Sequence, residues 1–295
     1  MAAHEPVMVA EVLDALAPAR GGLFVDCTLG LGGHARALLE AGATRVLGID
    51  RDAEALAQAR EALAPWGDRV EFVHADFRDL VAVLDARAID AVDGVLADLG
   101  VSSLQLDGEG RGFSFRRDEP LDMRMDTSGG ESAADWLAGA SVQELEDVIR
   151  DFGEERFARR IARAIARARS AAPIATTVQL AEIVRRAIPS RGYQRIDPAT
   201  RTFQAIRIRV NRELERLDTF LAHAVGRLRA GARLAVISFH SLEDRIVKHT
   251  LRAMAQGGQM AVRLLTRRPV MPGEAEVARN ARARSARLRA IERLA

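Results

Sequence analysis

The stretch Val25-Asp26-Cys27-Thr28-Leu29-Gly30-Leu31-Gly32-Gly33-His34, followed by Gly48-Ile49-Asp50, decides the fold. Leu23 to Val25 reads as a buried strand of apolar and aromatic residues that runs into glycines at 30, 32 and 33. Glycine there lets backbone N–H groups approach a ligand where a Cβ would clash. A second apolar run, Arg45 to Ile49, ends in Asp50, 20 residues beyond Gly30. At that spacing in a doubly wound sheet an acidic side chain meets the ribose hydroxyls of an adenosine cofactor. A hydrogen bond from a ribose hydroxyl to a carboxylate is worth roughly 1.5–3 kcal/mol, so Asp50 is expected to be an anchor.

Two adenosine cofactors use this geometry. A dinucleotide site needs G-x-G-x-x-G, with the pyrophosphate on a helix N-terminus. Here the glycines run G-x-G-G-H, and Asp26 precedes Gly30 by four residues. An acid in that place repels a pyrophosphate but suits the amino group of a methionine moiety. The pattern is similar to the first motif of S-adenosylmethionine (SAM) methyltransferases. Asp26, Gly30, Gly32, Gly33, His34 and Asp50 are therefore expected to bind SAM, against the alternative of an NAD-dependent oxidoreductase.

At 295 residues and 48% hydrophobic, the chain can bury a full core in one large domain or a domain carrying an insertion. No run reaches the roughly 18 apolar residues that span a bilayer, and the start lacks a signal-peptide layout, so no membrane partner is expected. The single cysteine, Cys27, excludes an internal disulfide and fits a reducing cytoplasm. The six histidines show no metal-ligand spacing, so no metal is expected. Of the 43 basic residues only Lys248 is lysine, so arginine clusters must be discounted as compositional bias. From Arg279 to Arg293, six arginines face one acid, which suits either a phosphate contact or a solvated surface.

Residues 1–20 read as a short helix with Pro6 near its start. Strand and helix then alternate: strand 22–28, helix 34–42, strand 45–50, helix 53–64, strand 69–75 and strand 91–97. That rhythm predicts a parallel α/β sheet. After Asp98 it breaks into a loop, 101–130, with five glycines and no period; a loop that long usually works as a lid or a binding loop. From about 131 to 190 the pattern is helical only, with capping boxes at Ser141–Glu144 and Thr176–Gln179. Phe157, Ile161 and Ile165 form an apolar face, and Arg156, Arg160, Arg163 and Arg167 a second one. Asp197-Pro198 opens a long helix to Leu228, Gly231 ends it, and Arg233 to Phe239 reads as another strand. The expected domains are thus 1–108 with 198–295 for the cofactor, and 109–197 as a loop plus a helical insertion.

In an open α/β sheet, ligands sit outside the carboxyl ends of the strands. Asp76-Phe77 follows the third strand, where Phe77 would lie against the adenine or simply pack in the core. The segment Asp98-Leu99-Gly100-Val101-Ser102-Ser103 follows the fourth, making Asp98, Ser102 and Ser103 the catalytic candidates. His240, after the last strand, is an RNA-contact candidate or a structural histidine. In Arg111 to Met125, arginines interleave with phenylalanines, as single-stranded nucleic-acid binding needs. Arg111, Phe113, Phe115 and Arg116 are the candidates there, although Phe113 and Phe115 would equally pin the loop to the core. Arg160 and Arg163 of the basic stripe, Arg207 and Asn211 of the long helix, and Arg284 of the tail complete the set.

Taken in order, VDCTLGLGGH, GIDRD, ADLGVSS, RGFSFRRDEPLDMRM, GEERFARRIA, PATRTFQAIRI, ISFHSLEDRIVK and NARARSARLR closely resemble the bacterial 16S ribosomal RNA cytosine-N4 methyltransferases, the ribosomal RNA small subunit methyltransferase H family. His4-x-Pro6-Val7 belongs to the same set, and the resemblance covers essentially the whole chain. It implies a class I SAM-methyltransferase Rossmann-like sheet, doubly wound and mainly parallel, with an inserted all-helical domain. It also implies SAM-dependent N4-methylation of a cytosine in the ribosomal decoding centre. Its cofactor contacts, by position, are Gly32, Gly33, His34, Asp50, Phe77, Asp98 and Gln105. The expected partner is 16S rRNA within the small subunit; a non-catalytic SAM-binding assembly factor is the alternative. Leu104 and Ala281 stand where the family usually has proline. The residues narrow the chemistry independently. Pyrimidine C5 methylation needs a cysteine nucleophile, and Cys27 belongs to the cofactor loop. Ribose methylation commonly uses a lysine, and Lys248 is the sole candidate. Exocyclic amine methylation needs neither.

Overall fold

The computed structural model describes residues 6–189, 196–257 and 260–295, so His4 lies outside the described residues. In chain order, α1 (Val9–Leu16), β1 (Leu23–Asp26), α2 (Gly33–Glu40), β2 (Arg45–Asp50), α3 (Ala53–Ala62), β3 (Val70–His74), α4 (Leu80–Asp85) and β4 (Val92–Asp98) come first. Six helices follow: α5 (Ser103–Asp107), α6 (Ala133–Gly139), α7 (Val142–Asp151), α8 (Ala158–Ala171), α9 (Thr177–Ala187) and α10 (Ala199–Asn211). The chain closes with α11 (Leu217–Gly226), β5 (Leu228–Ser238), α12 (Ser241–Gly257), β6 (Val262–Leu264), α13 (Glu274–Arg279) and β7 (Arg287–Arg293). It divides into two compact units, Met1–Gly100 with Leu214–Ala295, and Val101–Glu213.

The first unit is the doubly wound sheet, in the order β3-β2-β1-β4-β5-β7-β6. β1 pairs in parallel with β2 and β4, and only β7 runs antiparallel, against both β5 and β6. Because strand side chains alternate, Phe24, Val46, Leu96 and Ile237 face the layer of α1, α2 and α3. Their neighbours Val25, Leu47, Val95 and Val236 face α4, α11 and α12. Both faces are buried, which is why these strands read as continuous apolar runs. The strand order reverses between β1 and β4, and it is there that the glycine turn lies.

Three expectations change. The single helix 198–228 is two helices, α10 and α11, broken where Arg212 (φ 53°) and Arg216 (φ 56°) adopt left-handed backbone. Its apolar stripe therefore serves two cores: Phe203 and Ile206 pack with α6 to α9, whereas Leu217 packs under the sheet. Gly231 lies within the span of β5 and ends no helix. The second half of the basic tail, Arg287–Arg293, is β7, a largely buried strand.

The second unit is helical. Leu145, Ile149, Ile161, Ile165, Leu180, Val184 and Phe203 fill its core. Both expected capping boxes form: Glu144 Oε2 accepts from Ser141 N at 2.7 Å, and Gln179 Oε1 from Thr176 N at 3.2 Å. Residues 101–108 and 198–213, read as part of the cofactor domain, belong to this unit, because α10 supplies part of its core. No helix of the described residues is long and apolar enough to cross a membrane.

Candidate active site

The turn after β1 is built by its own backbone. Gly30 (φ 53°) and Gly32 (φ 80°) occupy left-handed conformations that side chains disfavour, and Gly32 delivers the chain into α2. Asp50, at the end of β2, clamps this turn. Its Oδ2 accepts from Gly30 N at 2.7 Å and its Oδ1 from Asp52 N at 2.8 Å. Burial raises the Asp50 pKa, and those two N–H donors oppose the rise. Its carboxylate thus has a structural task that spacing alone did not reveal. Thr28, which sequence reasoning missed, ties the turn to β4: its Oγ1 accepts from Asp98 N at 2.6 Å.

Asp26, His34 and Asp98 converge behind the turn. Asp26 is fully buried, and only its Oδ1 is engaged, by Thr28 N at 3.2 Å. Burial pushes its carboxyl up to about 7, with His34 opposing and Asp98 and Asp50 adding to the rise. His34 Nε2 stands 3.5 Å from Asp98 Oδ2, a charge contact without hydrogen-bond geometry. Burial disfavours the imidazolium, but Asp98 and Asp26 outweigh it and raise the His34 pKa. Asp26 Oδ2, both ring nitrogens of His34 and Asp98 Oδ1 are buried without a hydrogen-bond partner. Folded proteins leave few such atoms, and a cluster of them marks a place where a ligand supplies the partners. Three carboxylates against one imidazole suit a cationic ligand with N–H donors. SAM, with its ammonium and sulfonium groups, fits that requirement, and a pyrophosphate does not.

Phe77 follows β3 and packs edge-on against Phe220, with ring centroids 4.8 Å apart, as the core reading allowed. Asp76 holds it there: its Oδ1 accepts from Arg78 N at 3.0 Å, and Arg78 Nη2 donates to Oδ2 at 2.7 Å. Burial alone would raise Asp76, but Arg78 and Arg51 outweigh it and hold the carboxyl below its usual range. Cys27 is buried, and burial together with Asp26 pushes its thiol well up, so it offers no nucleophile.

In the helical unit, several candidates make contacts within the unit. Ser102 Oγ accepts from Gln105 N at 3.3 Å, and Gln105 Oε1 accepts from Ser102 N at 3.0 Å. This capping box engages both groups at the start of α5. The side chain of Ser103 lies outside the described residues. Arg111 is buried and donates to the carbonyls of Arg124 and Met125. Phe113 is buried, and Phe115 packs edge-on against Phe203 at 4.7 Å. Asn211 donates to Met123 O at 2.7 Å and accepts from Met125 N at 2.7 Å. Arg207 makes a bidentate pair with Glu213, 2.8 Å at each contact. The 111–125 segment is therefore pinned within its own unit, and Arg111, Phe113, Phe115, Arg207 and Asn211 are engaged there in packing and hydrogen bonding.

Back in the sheet unit, His240 heads α12, where its Nδ1 accepts from Glu243 N at 3.4 Å and Glu243 Oε2 accepts from Phe239 N at 2.9 Å. That is the structural role weighed for it. Arg116, Arg160, Arg163 and Arg284 remain exposed.

Known proteins bear directly on this arrangement. A family model described as the MraW methylase family matches residues 1–294. A ribosomal RNA small subunit methyltransferase H of Geotalea uraniireducens is 52% identical, with 99% of this chain and 98% of that one covered. The protein of the same name from Nitratidesulfovibrio vulgaris is 53% identical, covering 99% of this chain and 86% of its own. Among solved structures, an rRNA methylase from Streptococcus thermophilus is 11% identical and covers 97% of this chain and 94% of that one. Its TM-score of 0.42 is too low to bear on the fold. Matched from end to end by the family model and half identical to full-length relatives, the chain belongs to the MraW methylase family.

Proposed function

We propose that this protein methylates the exocyclic N4 amine of a cytosine in the decoding centre of 16S rRNA, presented within the small ribosomal subunit. At the coarser level it is a SAM-dependent methyltransferase of small-subunit rRNA, the activity its family and relatives carry. The observation that carries the finer reading is the buried Asp26–His34–Asp98 cluster with its unmet polar atoms. SAM supplies a methyl group on a sulfonium centre. The protein has to hold the acceptor amine in line and take up a proton from it. Cytosine N4 is conjugated and barely basic, so a carboxylate that accepts an N–H hydrogen bond turns the remaining lone pair toward the methyl group.

Asp98, at the end of β4 with Oδ1 unmet, is the residue assigned that task. Asp98 takes the proton that N4 loses once the methyl group is attached, and His34, whose Nε2 stands 3.5 Å from Asp98 Oδ2, is assigned to orient that carboxylate. Asp26 and Asp50, with the glycines at 30, 32 and 33, are assigned to the cofactor. Two alternatives lose support from the residues themselves. Cys27 is held as a thiol, which disfavours attack on a pyrimidine ring carbon. Lys248 lies in the second turn of α12 and not in a segment that directly follows a strand, which disfavours a lysine-centred ribose reaction. The test is methyl transfer from labelled SAM to small subunits taken from cells lacking the enzyme. Label in N4-methylcytidine supports the reading, and label in 5-methylcytidine or a 2′-O-methyl nucleoside overturns it.

A further inference from the structure

The helical unit carries a second feature that the chemistry above does not use. α8 and α9 are joined by residues 172–176 and form a hairpin with an open groove of about 460 Å³ along it. Arg160, Arg163 and Arg167 line one wall and Arg186 the other. Ala164, Ala168 and Ile183 make the floor. Arg156, the fourth arginine of the stripe read from sequence, lies instead over the Phe157 ring at 4.5 Å.

What sets these arginines apart is the lack of acids. Several other arginines of this unit are paired with acids: Arg124 with Asp122, Arg150 with Asp147, Arg185 with Asp197 and Arg207 with Glu213. Arg160, Arg163 and Arg167 have no acidic partner among the described residues, and Arg186 has only the exposed Glu182 one turn before it. Compositional bias explains many arginines, but not why three without an acidic partner line one groove together with Arg186. Residues 160 to 167 climb about 10 Å along α8, at about 1.5 Å per residue. That is of the order of three stacked nucleotides at about 3.4 Å each. The planar guanidinium fork matches phosphate oxygens. The groove lining holds no aromatic ring to stack a base and no carboxamide to read one, so it selects charge and not sequence.

We propose that the α8–α9 groove docks the phosphodiester backbone of an RNA strand of the substrate. The proposal rests on the reading of this protein as an RNA methyltransferase. Small apolar residues in the floor let the sugar–phosphate chain approach closely while the four arginines hold it from both walls. The groove contributes affinity and register without contacting the base that is methylated.

The test compares the full-length protein with the triple variant Arg160→Gln/Arg163→Gln/Arg167→Gln, using fluorescence anisotropy of a short labelled oligouridylate across potassium chloride concentrations. All three side chains are exposed on a helix, and an unchanged far-ultraviolet circular dichroism spectrum and melting temperature certify the variant's fold. At about 0.7 counterions released per contact on a single strand, losing three contacts lowers the log–log salt slope by about 2. Affinity at low salt falls about tenfold or more, and the matching Arg→Lys variant restores most of the slope. Unchanged affinity and slope in the triple variant, while wild type still methylates rRNA, overturn the groove and leave the activity standing. Polyglutamate displacing the oligouridylate at equal charge would assign the groove to an acidic protein and likewise overturn it. Failure of wild type to methylate any rRNA removes the reading on which the groove rests.

Discussion

With its side chain fully buried and one oxygen left unmet, Asp26 makes the folded protein sensitive to pH in a definite direction. Its carboxyl sits at about 7 in the folded chain, against an ordinary 3.8. Between those values the folded state keeps a proton that the unfolded chain releases, so stability falls as pH rises from about 4 to about 7 and is flat beyond. The span corresponds to a loss on the order of 4 kcal/mol. His34 acts in the same sense, because its raised pKa gives stability that is lost as pH rises through the folded value. Asp26→Asn without cofactor is therefore expected to be more stable than wild type near pH 8 and about equal near pH 4. Urea denaturation at the two pH values checks this, and an unchanged pH slope in the variant would remove Asp26 as its source. Asp50 makes a second prediction. Asp50→Ala frees the N–H groups of Gly30 and Asp52 and removes the anchor proposed for the ribose. SAM affinity is expected to fall at least about tenfold, from roughly 1.5–3 kcal/mol of lost bonding, with a lower melting temperature as well. Calorimetric titration showing wild-type affinity would take Asp50 out of the cofactor site.

Elements differ in how far sequence exposed them, and the differences have physical causes. β1, β2 and β4 are buried on both faces, so their apolar runs stand out, and β2 spans the expected residues 45–50. β7 did not stand out, because Arg289 and Glu292 interrupt its apolar residues. Both are buried through long-range ion pairs, Arg289 with Asp244 at 2.7 Å and Glu292 with Arg233 at 3.5 Å. No local pattern announces such partners. The break between α10 and α11 was equally hidden, since left-handed Arg212 and Arg216 carry none of the glycine or proline signals that mark a helix end. Asn211 shows the same limit, because its place on a polar helix face suggested a ligand contact while its partners lie 86 and 88 residues away. Asn211→Ala removes the hydrogen bonds that Met125 N–H and Met123 O make to its side chain, which costs about 2–4 kcal/mol. A lower urea midpoint with SAM affinity unchanged is the expected outcome, and an unchanged midpoint would show that the bridge contributes nothing.

At the scale of the whole molecule, the order of motifs along the chain was legible, and the family resemblance followed from it. The division into units was less so: residues 101–108 and 198–213 belong to the helical unit, because packing and not chain order decides membership. The RNA-contact candidates that remain exposed lie on separate segments of the chain: Arg116, the α8–α9 groove and Arg284. Forcing a base out of an intact stack costs a few kcal/mol unless the RNA already exposes it. Initial rates are accordingly expected to be far higher on assembled small subunits than on protein-free RNA of the same sequence, and equal rates would argue against recognition of a folded particle. The most direct measurement is nucleoside mass spectrometry of 16S rRNA from cells lacking this protein, complemented with wild type or with Asp98→Ala. Loss of one N4-methylcytidine, restored by wild type and not by the variant, is the expected result. An unchanged N4-methylcytidine content in the deletion strain would contradict the assigned reaction.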